Sequence, residues 1–266
     1  MIVDFHTHCF PDALAAKALP LLSKEAGDLR AHTDGTLAGL ESSMARCGVS
    51  RSVMLQIAVK PTQNKTVNNW AIERLAANPS LIPFGSVHPQ SDDWHSELGR
   101  LAAAGVKGVK FHPEYQQTYV NAPVMFPIYD RLTELGMIAV FHAGIDIGVA
   151  PPVRSRPEHF AEIIGRLPQG KTVLAHFGGW KLWDDVERVL AGSHLLFDTS
   201  FCGPYMAKEA MLSLIAKHGA DKFVMGSDSP WASQTDAVED VRRLGLDAAV
   251  EAAILGGNAM RLLNVR

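Results

Sequence analysis

Short apolar runs of strand length recur along the chain, separated by longer stretches in which apolar residues return every three or four positions. The runs lie at 2–5, 52–59, 81–87, 105–111, 137–142, 172–176, 194–200 and 222–228. Most are continuous rather than alternating, as expected of strands buried on both faces. Between them the helical signals are clear. Residues 11–26 are rich in Ala, Leu and Lys, with an interruption at Pro20. Leu37, Leu40, Met44 and Cys47 form a stripe that Gly48 ends, and residues 65–77 stop at Asn78-Pro79. Ser91 is placed to cap a helix carrying Trp94, Leu98 and Leu101, and a further helix runs from Asn121 and Pro123 to Gly136. Pro157 opens a helix with Phe160 and Ile163. Trp180, Trp183, Val186 and Leu190 make the next stripe, and Pro204 opens another helix ending near Gly219. Helices over 235–244 and after Asp247 close the chain.

Eight strands, each followed by helix, predict parallel pairing. In a chain of 266 residues this is an α/β protein, a single (β/α)8 TIM barrel spanning 1–266. The competing doubly wound open sheet would place a glycine-rich phosphate turn after an early strand. Here the first strand ends in His-Thr-His.

Composition narrows the function classes. Net charge is −3, with no basic block, so neither nucleic acid nor an anionic membrane is expected as a partner. No apolar run approaches the roughly 20 residues of a membrane span, and no basic region followed by an apolar core predicts a secretory leader. Cys9, Cys47 and Cys202 are odd in number and far apart, which reads as reduced thiols in a cytoplasmic protein.

The chemistry gathers where the predicted strands end. His6 and His8 are two apart, so in a strand their imidazoles share a face. His88 ends the third strand. Lys110, His112 and Glu114 end the fourth, His142 the fifth and His176 the sixth, with Asp198 and Asp228 at the ends of the seventh and eighth. Six of the eleven histidines thus fall at the rim where barrel enzymes keep their active sites. Two histidines from the first strand, His142 and the Asp228 carboxylate make a donor set for a divalent metal that leaves a position open for water or substrate. His176 adds an imidazole able to move a proton beside the metal, and Asp228 could both ligate and accept a proton. Lys110 reads as an anchor for a substrate carboxylate or a buried ion-pair partner. His112, Glu114 and Trp231 are candidate substrate contacts. Arg154 and Arg156, in the long loop 143–156, are cations within reach of an anionic substrate.

The sequence resembles the amidohydrolase superfamily, in the amidohydrolase-related group that includes the aminocarboxymuconate-semialdehyde decarboxylase type. The resemblance is carried by D-F-H-T-H at 4–8, G-V-K-G-V-K-F-H-P at 105–113, F-H-A-G at 141–144, A-H-F-G-G at 175–179, G-S-D-S-P-W at 226–231 and G-G-N-A-M-R-L-L at 256–263. It implies His6, His8, His142 and Asp228 as metal ligands and His176 as a catalytic group or second-metal ligand. Lys110 falls where two-metal members carry a bridge. The decarboxylase-like group generally uses one metal, so one ion per chain is expected; zinc suits the donors, with manganese, iron and cobalt compatible. The function expected is a metal-dependent hydrolase acting on a small amide, ester or lactone through metal-bound water, with Asp228 and His176 handling the proton. The alternative is a lyase, non-oxidative decarboxylation of a small unsaturated or aromatic acid at the same metal. A metal-binding barrel without catalysis is the third reading. The partner is a small-molecule substrate, and self-association into a homo-oligomer is open.

Overall fold

The computed structural model describes residues 1–265. Its strands are β1 (Ile2–Thr7), β2 (Val49–Leu55), β3 (Leu81–Phe84), β4 (Gly108–Phe111), β5 (Ile138–Phe141), β6 (Thr172–Leu174), β7 (Leu196–Asp198) and β8 (Phe223–Val224). All neighbours pair in parallel, in two sheets ordered β1-β2-β3 and β4-β5-β6-β7-β8. Single bridges, not full ladders, join the sheets. Gly85 N donates to Gly108 O (3.0 Å) and Lys110 N to Gly85 O (2.9 Å). At the other seam Phe5 N donates to Met225 O (2.7 Å), Asp228 N to His6 O (2.8 Å) and His8 N to Ser229 O (2.6 Å). The eight strands therefore run round in the order the sequence predicts, with helices between them, in the (β/α)8 arrangement. Several strands are shorter than the apolar runs: in β3 and β6 the last residues of the run leave the ladder to enter the rim loops, in β4 the first residues, 105–107, precede it, and β5, β7 and β8 are trimmed at both ends.

The interior explains the alternation. Val3, Phe5, Val53, Leu55, Ile82 and Phe84 pack with residues of β5 to β8 in one buried cluster, closed by Ala259 and Leu263 of the C-terminal helix. Strand β4 adds no apolar side chain to it. At Gly108 a Cβ would lie 2.4 Å from the Phe84 ring, so glycine makes room there, and two residues on the same strand face carries Lys110. In β1 the register against β2 slips between Asp4 and Thr7. That irregularity lets Phe5 join the interior cluster while His6, its neighbour, still turns toward the C-terminal rim. Buried Asp4 locks the seam: its carboxylate accepts from His6 N (3.1 Å), Ser227 N (2.9 Å) and Gln234 Nε2 (2.8 Å).

Local signals set most helix ends. Thr36 Oγ1 accepts from Gly39 N to start Leu37–Cys47, and Gly48 and Gly136 close their helices in the left-handed region. Three expectations change. Ser91 does not cap: its hydroxyl takes the Asn64 side-chain amide at 2.6 Å, and the helix begins at Trp94. Trp180 precedes rather than joins the helix Trp183–Val189, because its backbone is bonded to the loop after β5. Pro204 sits in a turn ahead of Lys208–His218. No helix among the described residues is long and apolar enough to cross a membrane.

Candidate metal centre

The residues at the strand ends converge. His6 Nε2 and His8 Nε2 lie 3.2 Å apart, and Asp228 Oδ1 is 3.4 Å from the first and 3.2 Å from the second. Both rings are oriented from behind. His6 Nδ1 donates to Asp198 Oδ2 at 2.8 Å, and His8 Nδ1 to Leu55 O at 2.8 Å. Each pairing puts the proton on Nδ1 and leaves an Nε2 lone pair facing Asp228. His176 is fixed the same way, with Nδ1 against Ser200 O (3.0 Å) and Nε2 3.2 Å from His142 Nδ1. His142 Nε2 is buried without a protein partner. A buried ring nitrogen left without a partner is what a cation would satisfy. The structure therefore brings His6, His8 and Asp228 into one potential ligand group and His6, His176 and Asp198 into a second, while His142 reaches them only through His176 and falls in a different group.

The backbone is strained at this rim. His176, Phe177 and Asp228 have φ of 61°, 55° and 72°, values that L side chains with a Cβ rarely adopt. Trp183 Nε1 donates to His176 O (3.0 Å) and helps hold its turn. Glycine is required nearby: a Cβ at Gly144 (φ 89°) would lie 2.2 Å from Trp180 N, where the loop after β5 runs against 179–180.

Electrostatics at the site are governed by burial. Burial, then the Lys110 charge, lowers the His6 pKa to about 4 against the pull of Asp198 and Asp228. Lys110, fully enclosed with Nζ 3.3 Å from His6 Nε2, is lowered to about 8 by burial, which outweighs Asp198, Asp228 and Glu114. Burial pushes Asp198 up, but the charge and hydrogen bond of His6 win and hold it well below the usual carboxylate range.

The remaining candidates separate. His112 is sandwiched between Tyr115 (3.9 Å) and His142 (4.3 Å), with Nε2 3.2 Å from Asp146 Oδ2; with His142 and Asp146 it forms a third potential ligand group. Glu114 faces the loop: its Oε1 accepts from Arg154 N and Ser155 Oγ, both at 2.9 Å. Trp231 and Lys110 line a cavity of about 1090 Å³ together with the histidines. Arg154 and Arg156 do not line it; Arg154 donates to Pro152 O, and Arg156 pairs with Glu158 and Asp185.

Sequence reading passed over Asp146, Ser200 and Gln56 and gave Asp198 no task. Ser200 Oγ lies 3.0 Å from His6 Nδ1 and 2.9 Å from His176 Nδ1. Gln56 lines the cavity with a buried Nε2 that has no protein partner. Only Asp198 carried a signal, its place at the end of a barrel strand.

A parallel barrel with histidines and an aspartate gathered at its C-terminal rim defines a class of metal-dependent barrel proteins. The chain belongs to the amidohydrolase family, whose family model matches residues 3–265. No curated protein sequence matches it. Among solved structures it is similar to 5-carboxyvanillate decarboxylase from Sphingomonas paucimobilis (17% identity, TM-score 0.73, covering 100% of this chain and 99% of that one). It is also similar to a 2,6-dihydroxybenzoate decarboxylase complexed with 2,6-dihydroxybenzoate (15%, TM-score 0.72, 99% of each chain). A third is a dihydroxybenzoic acid decarboxylase from Polaromonas with bound manganese and 2-nitroresorcinol (15%, TM-score 0.71, 99% of this chain and 96% of that one). These relatives overturn the expectation of a hydrolase acting on an amide, ester or lactone and favour its alternative. The physical reason is that hydrolysis and decarboxylation need the same converging donors, so the ligand positions on which that expectation rested do not separate the two reactions.

Proposed function

We propose that the protein is a metal-dependent non-oxidative decarboxylase of a small aromatic or unsaturated carboxylic acid. The observation that carries it is the convergence of His6 Nε2, His8 Nε2 and Asp228 Oδ1 at the floor of a cavity that also presents the Lys110 amine. The acids named for the structural neighbours support the substrate class.

His6, His8, His142 and Asp228 would hold one divalent ion, for which the donors suit zinc and the Polaromonas neighbour offers manganese as precedent. When bound, the ion supplies positive charge that fixes and polarises the acid's oxygens. The chain's own groups do the rest. Lys110 Nζ, aimed among these residues, attracts the carboxylate into the cavity. The bond from the carboxylate carbon to the ring or alkene carbon breaks, its electron pair stays on that carbon, and carbon dioxide leaves. A proton must then reach the same carbon. His176 and Asp228 stand at the floor to manage that transfer. His112, held between Tyr115 and His142, and Trp231 bound the space in which the ring sits.

The test is a panel of hydroxybenzoic and unsaturated acids offered to manganese- and zinc-loaded protein, with carbon dioxide release measured. In deuterium oxide, one deuterium should appear on the former carboxylate-bearing carbon. Absence of carbon dioxide from every acid, in protein shown to hold one metal per chain, would sink the proposal.

A further inference from the structure

The cavity that holds the histidines is also lined by a large set of apolar residues, many of them distant from the histidines in sequence. The helix Asp12–Glu25 buries only Ala15 against the barrel. Its other apolar stripe faces the cavity instead: Leu14, Ala18, Leu21 and Leu22 all line it, at the three- and four-residue spacing of one helical face. Val59, Pro61, Val67 and Trp70 line the same cavity, as do Ile145 and Ile147 of the loop after β5. That loop abuts the helix, since a Cβ on Gly148 would lie 3.8 Å from Ala26 N. Glu25 and Lys60 are further charged side chains of the lining, while Asp146 is held against His112.

Exposure makes the stripe unusual. Leu14 is 49%, Leu21 64%, Val59 37% and Ile147 42% exposed, and all four line this one cavity. Scattered exposed leucines need no explanation, but a set gathered in one concave wall does. A cavity near 1090 Å³ is also just above the roughly 300–1,000 Å³ that serves small-molecule sites, and large for a single substituted ring.

We infer that the substrate is amphipathic: an acid head at the histidine floor and an apolar tail, an alkyl chain or second ring, lying along the helix Asp12–Glu25. The head group rests on the decarboxylase reading; the tail rests on the stripe alone. The cavity, continuous from polar floor to apolar wall, favours one ligand reaching through both over a protein partner laid across its mouth.

The experiment titrates manganese-loaded protein calorimetrically with 2,6-dihydroxybenzoates bearing methyl, propyl or pentyl opposite the carboxylate, and measures carbon dioxide from the same compounds. Each added methylene should tighten binding by up to about fourfold. Leu21→Asp, at an exposed position, should bring the pentyl-to-methyl affinity ratio close to one, with circular dichroism checking the fold. Rising affinity without carbon dioxide supports the tail site while sinking the decarboxylase reading. Pentyl binding no tighter than methyl overturns the inference, whether or not carbon dioxide forms. A dimer seen by light scattering that Leu21→Asp dissociates, together with affinity independent of chain length, assigns the stripe to a second copy and also overturns it.

Discussion

Asp198→Asn replaces one carboxylate oxygen with an amide nitrogen, in a place where both oxygens are engaged. Asp198 Oδ1 accepts from His176 N (2.9 Å), Ser200 N (3.0 Å) and Ser200 Oγ (2.5 Å), while Oδ2 accepts from His6 Nδ1 (2.8 Å). An asparagine has one acceptor oxygen. Three donors compete for the Oδ1 place, so the amide nitrogen must take the other and face His6 Nδ1. That ring nitrogen then has to accept, which moves the His6 proton to Nε2, the atom proposed to bind the metal. Losing such an orienting partner costs about 10–100-fold in metal affinity, or about 1.4–2.7 kcal/mol. Competition against a chromophoric chelator for manganese or zinc reads this directly, with thermal melts of the metal-free protein confirming that the variant folds. His8 takes its orientation from Leu55 O, so its contribution should persist and the loss should be partial. A folded variant that binds metal within twofold of the parent would refute the assignment of His6 as an oriented ligand.

Other outcomes are expected. Chelation should lower the thermal midpoint, because an ion that binds only the folded state at 100 times its Kd adds about 2.7 kcal/mol, roughly 5–10 °C for a chain of this size; a midpoint unmoved by chelator and by added metal would contradict a folded-state site. Buried His218 accepts from Gly192 N (3.2 Å) and donates to Leu195 O (2.8 Å), and burial lowers its pKa to about 4. The unfolded chain takes up this proton near pH 6.5 and the folded chain only near 4, so stability should rise with pH across that window, by up to about 3 kcal/mol from this residue. In metal-free protein, denaturant titrations at pH 4.5 and 7.5 should differ less for His218→Gln than for the parent; an equal difference would remove His218 as a cause. Gly144→Ala drives a Cβ against Trp180 N at a left-handed position and should cost at least about 2 kcal/mol by urea unfolding, and an unchanged midpoint would show that the loop after β5 yields there.

The site was legible as far as strand position could carry it. His6, His8, His142, His176 and Asp228 stand at strand ends, and a barrel sends strand ends to one rim. Asp146 had no such signal, because it lies in an irregular loop and reaches His112 only once that loop folds back. Arg154 and Arg156 read as substrate cations and turn out to pair within the loop region and with Asp185. His218 lies in a helix, away from every strand end, yet it is buried and packs on Phe197 at 4.0 Å. The hydrolase expectation failed for a related reason: the metal donors are local features of strand ends, whereas the reaction depends on what faces them across the cavity.

Determined by the sequence alone are the eight strands, the order in which they run, the helices that Gly48 and Gly136 end and the histidines at the rim. These follow from hydrophobic period, glycine stops and residue spacing, all properties of a few neighbouring residues. Tertiary structure decided the rest. The tautomer of His6 depends on Asp198, 192 residues away, and the seam beside Asp4 on Ser227, 223 residues away. The turn of Leu14 and Leu21 toward a cavity instead of the core depends on the strand ends and loops opposite. Such partners are set by closure of the barrel, which brings distant segments together through packing that no local pattern encodes.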